Sequence, residues 1–218
     1  MPPPGVSSTA TTSKYVMATT FPVLLDGYTD LPPGKIANVV TFLERTDAPA
    51  GAAGPSEFAV TTVVHPATGW YRDLYRRIGQ NWLWFSRALM PDDALAALID
   101  NPGTAILTVT KSGSNAALGL AEIGFAGRGE AEIVTFGVVP EAIGTGAARA
   151  LMQGALRAAF RPGIGRVWLH TCTFDHPAAI RFYQANGFQA YKFAIEVSDD
   201  PRRTGALPMD AAPHVPLL

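Results

Sequence analysis

The sequence predicts an α/β (α+β) domain, with a mixed, mostly antiparallel central sheet flanked by helices and an N-terminal β-rich extension. Three observations favour this class. Residues 104–139 alternate in polarity and break at turn residues, as a hairpin followed by a third strand does. A long helix with one apolar stripe follows. After it come another strand, a short helix that ends at Asn186-Gly187, and a last strand.

The N-terminal part is expected to hold a tail and strands. Residues 1–14 are rich in Pro, Ser and Thr and predict a flexible tail, and residues 15–218 predict a single domain. Within residues 15–65, strands are expected in MATTFPVLL, KIANVVTFLER and FAVTTVV, separated by stretches rich in turn residues.

The next region is aromatic and helical in pattern. In residues 68–90, Trp70, Tyr71, Leu74, Tyr75 and Ile78 lie on one helical face. A second, shorter helix is expected from Pro91 to the Asn101-Pro102-Gly103 turn.

The region 104–197 is expected to form the core of the domain. Its long helix begins near Gly144 and stops at Arg161-Pro162-Gly163. The apolar stripe of that helix comprises Ala148, Leu151, Met152, Ala155, Leu156, Ala159 and Phe160. Asp175 is a candidate N-cap for the short helix. Residues 198–218 predict a C-terminal tail that wraps the surface.

Composition excludes several classes of function. The net charge of −1 argues against general nucleic-acid binding, which needs a basic face. No apolar run approaches the roughly 18 residues of a membrane span. With no visible secretory signal and one cysteine, Cys172, a cytoplasmic protein is expected. The four histidines lack ligand spacing, so no metal site is predicted.

The turn Gly144-Thr145-Gly146 is a candidate phosphate site. Glycines permit positive φ and close backbone approach, and a helix N-terminus presents unpaired N–H groups to an anion. A merely structural turn is the alternative. No lysine follows the glycines, which argues against a P-loop. The third glycine of a dinucleotide fold, and its acidic residue about 20 positions on, are also absent.

The order VVPEAIGTGAA, then a strand, then AIRFYQANGF resembles the GNAT superfamily of N-acetyltransferases over roughly residues 104–197. The resemblance implies that acetyl-CoA is the cosubstrate. It implies that backbone amides of the turn bind the pyrophosphate, at Ile143, Gly144, Thr145, Gly146, Ala147 and Ala148. It also implies that the backbone of Phe136, Val138 and Val139 pairs with the pantetheine arm. Glu141 and Ile143 replace polar or basic residues of the family pattern, so pyrophosphate binding is expected to rest on backbone donors.

Three residues are candidates for catalysis. Tyr183 falls where the superfamily commonly keeps its general acid, and its phenol could protonate the departing thiolate. A core tyrosine is the alternative. The amine must lose a proton before it attacks, and Glu132 or Glu122 could take it. Glu132 is slightly preferred, since several members of the family place a base on the matching strand; either could instead face solvent.

The acceptor side is expected before the hairpin. Trp82 and Trp84 could stack on a substrate and Arg87 could bind a carboxylate, with core packing as the alternative. The predicted function is acetyl transfer from acetyl-CoA to a primary amine, on a small molecule or a peptide that the sequence does not identify. The alternative is a non-catalytic acyl-CoA-binding module with the same fold. A homodimer is a further possibility.

Overall fold

The computed structural model describes residue 24 and residues 26–50, 56–127 and 129–217. The chain divides into two units, Met1–Pro32 and Pro33–Leu218. In the first unit, residue 24 and residues 26–32 form neither helix nor strand. The predicted strand MATTFPVLL lies, apart from Leu24, outside the described residues.

All described helices and strands belong to the second unit. The strands are β1 (Lys35–Arg45), β2 (Phe58–Thr62), β3 (Thr104–Lys111), β4 (Gly119–Gly127), β5 (Glu130–Val138), β6 (Arg166–Cys172) and β7 (Gln189–Asp199). The α-helices are α1 (Thr68–Gly79), α2 (Asp92–Ile99), α3 (Ala147–Ala159) and α4 (Ala179–Ala185). These bounds match the predicted elements closely. The exception is the aromatic region, where helix α1 ends at Gly79 and a short 3₁₀ turn, Gln80–Trp82, follows.

The seven strands form one sheet in the order β2-β3-β4-β5-β6-β1-β7. Neighbours are antiparallel except β5 and β6, so the predicted mixed, mostly antiparallel sheet is confirmed. The parallel pair is short, running from Glu130 opposite Arg166 to Glu132 opposite Trp168. On the other edge of β5, Glu122 pairs with Thr135 while the next residue of β4 pairs with Ile133, which leaves an irregularity there. Beyond Glu132 the edge of β5 that faces β6 has no described strand partner.

Helix α3 packs against β2 to β5 through the predicted apolar stripe. Leu151, Met152 and Ala155 are fully buried, and the phase of the stripe follows the helical repeat. Full burial of a Leu or Met side chain contributes about 2 kcal/mol, before the cost of ordering it. This packing holds the turn that precedes α3 against the ends of β4 and β5.

Strand β1 lies inside the sheet. It pairs with β6 through Val40 opposite Cys172, and with β7 through Asn38 opposite Glu196. Leu43 of β1 is fully buried in the main core. The sequence predicted this strand as part of an N-terminal extension. The structure shows that it lies between β6 and β7 in the central sheet.

The C-terminal residues pack against the domain around their own ion pair. Arg202 donates from Nη2 to Asp200 Oδ2 at 2.7 Å and from Nη1 to the Val215 carbonyl at 2.8 Å. Arg202 and Asp200 are both nearly inaccessible, and the guanidinium holds the pKa of Asp200 below its usual value. Leu207 and Val215 then form a small cluster with Leu83. These contacts bring the C-terminal segment beside the aromatic region.

No helix in the described part of the chain is long and apolar enough to cross a membrane.

Candidate active site

A cavity of about 640 Å³ opens where β5 and β6 separate. One wall is β5 from Ile133 to Val138, and the opposite wall includes Leu169, His170 and Cys172 of β6. Gly144 of the glycine turn, Tyr183 and the segment Trp82 to Phe85 also contribute to the lining. Of the predicted site residues, the cavity brings together Phe136, Val138, Ile143, Gly144, Ala148, Tyr183, Trp82, Trp84 and Arg87.

The glycine turn presents backbone donors at the start of α3. Gly144 and Gly146 have φ values of +79° and +100°, which L side chains rarely adopt, so the turn depends on glycine. The first bond within the helix runs from the Ala150 N–H to the Gly146 carbonyl at 3.1 Å. Ahead of it, the Ala147 N–H is bound only weakly, by Thr145 Oγ1 at 3.3 Å. The N–H groups of the first helical turn are therefore available to an anion.

The two residues that depart from the family pattern have different surroundings. Ile143 is half-exposed and lines the cavity. Glu141 lies on the surface, where its Oε1 accepts a hydrogen bond from Arg77 Nη2 at 2.8 Å. A backbone hydrogen bond and Arg77 hold the pKa of Glu141 below its usual value. The carboxylate is thus paired with a cation, which offsets its repulsion of a phosphate group.

A second cavity, of about 580 Å³, adjoins the outer side of the same turn. Thr145, Gly146, Arg149 and Arg157 line it together with Phe58. Arg149 and Arg157 lie on the exposed face of α3, away from its apolar stripe. Of the two arginines, Arg149 is nearer in sequence to the glycine turn, and a guanidinium there suits an anion bound beside the turn.

Tyr183 reaches the cavity from a nearly buried position. It is 8% exposed and packs edge-on against Phe136 and Phe188, at centroid distances of 6.2 and 6.1 Å. Burial raises the pKa of its phenol, and the negative charge of Asp175 adds to the effect. The raised pKa favours the protonated phenol, which carries a proton that it can donate.

Glu122 is not among the residues that line the cavity, and both oxygens of its carboxylate accept hydrogen bonds from other side chains. Oε1 accepts from Arg87 Nη2 at 2.6 Å, and Oε2 accepts from Arg87 Nε at 3.2 Å and from the hydroxyl of Tyr71. Its side chain is 3% exposed. The same contacts bind the Arg87 guanidinium, which limits its use for a substrate carboxylate. Glu122 keeps the pKa of Arg87 above its ordinary value despite burial.

Glu132 lies on β5 just before the residues of that strand that line the cavity, and it contacts a residue that faces the cavity. Its Oε1 lies 3.7 Å from Nδ1 of His170, on β6. This contact, aided by the charges of Glu196 and Asp175, raises the pKa of His170 above its ordinary value of 6.5 although burial opposes the change. His170 and Glu132 therefore form a pair in which the imidazole lines the cavity and the carboxylate supports it.

The tryptophans of the aromatic region play different structural parts. Trp84 lies against β5, where a Cβ at Gly137 would come within 3.1 Å of its ring, and its Nε1 donates to Asp175 Oδ1 at 3.0 Å. Asp175, predicted to cap α4, instead binds Trp84 and the end of β6, and the cap position is Ala178. Trp82 is also partly buried, and it contacts the rings of His176 and His214 at centroid distances of 5.2 and 5.4 Å.

Cys172 also lines the cavity. Burial raises its thiol pKa to about 12, and the charge of Asp175 acts in the same direction. A thiol with that pKa is almost fully protonated at neutral pH and is a weak nucleophile, which disfavours a covalent acyl-cysteine route.

Comparison with known proteins identifies the family. Residues 68–188 match the model of the acetyltransferase (GNAT) family, which is more than half of the chain. The chain belongs to the GNAT family of acetyltransferases. The predicted family is thus confirmed, and members of this family use acyl-CoA as cosubstrate and transfer the acyl group to amines. No curated protein matches the sequence.

Solved structures show that the GNAT fold extends over most of the chain. A GCN5-related N-acetyltransferase from Sphaerobacter thermophilus has 17% identity and a TM-score of 0.55, covering 75% of this chain and 52% of its own. A GNAT-family protein described as a putative acetyltransferase from Novosphingobium aromaticivorans has 16% identity and a TM-score of 0.51, covering 78% of this chain and 68% of its own. A functionally unknown protein from Staphylococcus epidermidis has 15% identity and a TM-score of 0.54. That match covers 77% of this chain and 64% of the Staphylococcus protein.

Sequence reasoning did not assign a role to His170, which the GNAT fold places on the cavity wall. The alternation of His170 with Cys172 on one face of β6 was visible in the sequence. The sequence did not show that β5 and β6 pair in parallel, which is what brings Glu132 of β5 close to His170. In the described residues, no group of three or more His, Cys, Asp or Glu side chains could hold a metal ion.

Proposed function

We propose that this GNAT protein transfers an acetyl group from acetyl-CoA to a primary amine by direct attack in a ternary complex. One observation carries the proposal. A single cavity joins the donor turn, the open edge of β5, Tyr183 and His170, and Glu132 contacts His170 from beside the cavity. These are the parts that thioester binding, leaving-group protonation and amine deprotonation require.

The backbone provides most of the cosubstrate binding in this proposal. N–H groups at Gly144, Gly146 and Ala148 bind the pyrophosphate, and the unpaired edge of β5 at Phe136 and Val138 hydrogen-bonds the pantetheine arm. Val139, expected from the sequence to share this role, lies past the end of β5 and donates its N–H to the Leu118 carbonyl at 2.9 Å, so we assign it no contact with the arm. Arg149 lines the neighbouring cavity and binds a further phosphate there. Acetyl-CoA supplies the acetyl group as a thioester, and the cavity orients its carbonyl carbon toward β6.

The chemical step needs one base and one acid. His170, neutral and supported by Glu132, accepts a proton from the amine, whose nitrogen forms the new C–N bond to the carbonyl carbon. As the C–S bond breaks, the sulfur takes the electron pair and the Tyr183 hydroxyl donates its proton to it. Glu122, a base candidate from sequence, has both oxygens engaged by Arg87 and Tyr71, and we assign it no proton transfer.

The test measures thiol release from acetyl-CoA over a panel of amines, amino acids and peptides. Tyr183→Phe should lower kcat about a hundredfold and leave the Kd of CoA nearly unchanged, because only the proton donor is lost. Tyr191→Phe is the matched control, since Tyr191 is an exposed tyrosine of β7 outside the cavity. An unchanged kcat in Tyr183→Phe would remove the tyrosine from the mechanism.

The same panel separates the enzyme from a binding module. Binding of CoA without turnover of any acceptor would favour the non-catalytic alternative. The cytoplasmic location and the homodimer stay predictions. Light scattering on the purified protein would measure its molar mass and so test the homodimer.

A further inference from the structure

One wall of the cavity comes from strands that the sequence motifs do not cover. Asn38 of β1 lies opposite Glu196 of β7, and Ile36 lies opposite Ser198 in the next pair of the same face. All four residues line the cavity. The wall therefore carries an amide, a carboxylate and a hydroxyl at neighbouring positions of one sheet face.

The amide of Asn38 is oriented and partly unpaired. Asn38 is 6% exposed, and its Nδ2 donates to Glu196 Oε2 at 3.0 Å. This bond identifies the nitrogen, because a carboxylate oxygen can only accept. The other amide atom, Oδ1, is buried and has no hydrogen-bond donor among the described residues. A buried carbonyl without a donor is costly, so a ligand that donates a hydrogen bond to Asn38 Oδ1, after displacing the atoms that cover this oxygen, would stabilise the wall.

The charges along the cavity favour a cation. Glu196 accepts a hydrogen bond from Asn38 but forms no ion pair within the described part of the chain. Asp175 also lines the cavity, although Trp84 and Thr171 occupy its oxygens. The guanidinium of Arg87 faces the same space, but buried Glu122 compensates its charge. Among the carboxylate and guanidinium groups of the lining, the charges without an ion-pair partner are therefore negative.

We propose that Asn38, Glu196 and Ser198 bind a second ammonium group of the acceptor, so that the preferred acceptors are diamines or polyamines. The inference rests on the proposed function, because it places the reacting amine at His170. His170 pairs with Phe42 across the sheet, and Asn38 lies four residues from Phe42 along β1. At roughly 3.3 Å per residue, the two positions are separated by about 13 Å along the strand. A diamine with a long methylene chain spans such a distance, and the apolar lining between its ends accommodates the chain.

Binding of amines to the protein with saturating CoA tests the inference without turnover. Straight-chain diamines of increasing length are compared by calorimetry with monoamines of the same carbon count. We expect the longer diamines to bind about tenfold more tightly than the matched monoamines, because a charged donor meets both Asn38 Oδ1 and Glu196. Glu196→Gln should weaken diamine binding about fivefold and leave monoamine binding unchanged.

The control and a second variant keep the outcome unambiguous. Asp199→Asn removes the next carboxylate of β7, which pairs with Lys35, and should leave the diamine preference intact. Asn38→Leu removes the carbonyl acceptor and should also reduce the preference. Equal binding of diamines and monoamines, or equal loss of both in Glu196→Gln, would refute the subsite. If diamines bind selectively but no amine is acetylated, the proposed function fails and the subsite stands.

Discussion

The buried ion pair of Arg87 and Glu122 gives the sharpest prediction about stability. Replacing Glu122 by Leu removes the hydrogen-bond acceptor of Arg87 Nε and Nη2 and of the Tyr71 hydroxyl. The guanidinium then stays in a site where its side chain is 14% exposed. We expect Glu122→Leu to lower the free energy of unfolding markedly. The buried guanidinium would have lost most of its hydration and would have no carboxylate to compensate for that loss.

The magnitude follows from the number of groups left unpaired. Removing one partner of a buried pair costs about 3–5 kcal/mol, and the residual exposure of Arg87 favours the lower end, about 3 kcal/mol. Adding Arg87→Met removes the stranded charge, so the double variant should recover most of this loss. A remainder of about 1 kcal/mol is expected from the unpaired Tyr71 hydroxyl, and Tyr71→Phe should remove it.

Urea unfolding of the single, double and triple variants measures these terms by linear extrapolation. The coupling between positions 87 and 122 should be about 2 kcal/mol or more. Additive effects of the two substitutions, or a loss below about 0.5 kcal/mol in Glu122→Leu, would refute the assignment of a structural ion pair. The activity of Glu122→Gln decides the alternative role, because loss of a catalytic base lowers kcat about a hundredfold even in folded protein.

Two further predictions concern the reaction. Because only neutral His170 can accept a proton and its pKa is raised, kcat/KM should increase with pH through a midpoint above 6.5. Glu132→Gln removes the main cause of the raised pKa, so the midpoint should move to lower pH; an unmoved midpoint in a pH–rate profile would exclude the pair. Arg149→Ala should raise the Kd of CoA about fivefold in a calorimetric titration, the effect of losing one partly exposed ion pair. Arg181→Ala, on α4, is its control, and an equal effect of both changes would contradict a phosphate contact by Arg149.

Local patterns were sufficient for much of the fold. The apolar stripe of α3 and the turn at Asn186-Gly187 depend on residues within one helix, and both appear where the sequence placed them. The Gly187 φ of +85° and the bond from the Phe188 N–H to the Tyr183 carbonyl at 3.1 Å form the expected helix end. Such features are readable because their partners lie a few residues away.

Long-range pairing was not readable in the same way. The carboxylate of Glu122 meets a guanidinium 35 positions away, and Asn38 meets Glu196 across 158 positions. Alternation in β1 predicted a strand but held no information on which strands flank it. For the C-terminal segment the sequence predicted only a tail that wraps the surface, because its packing depends on Arg202 reaching several carbonyl oxygens at once.

The two halves of the cavity differ in how they relate to the family. The glycine turn, β5, His170 and Tyr183 all lie within residues 68–188, the part that matches the GNAT model. Asn38 and Glu196 lie outside that part, on strands from the two ends of the domain. Because every GNAT enzyme must bind the same type of thioester, the matched segment carries the donor half. The acceptor differs between enzymes, so its recognition can depend on residues outside the match. In the subsite that we propose, that role is assigned to β1, whose position between β6 and β7 brings the buried amide of Asn38 to the cavity wall.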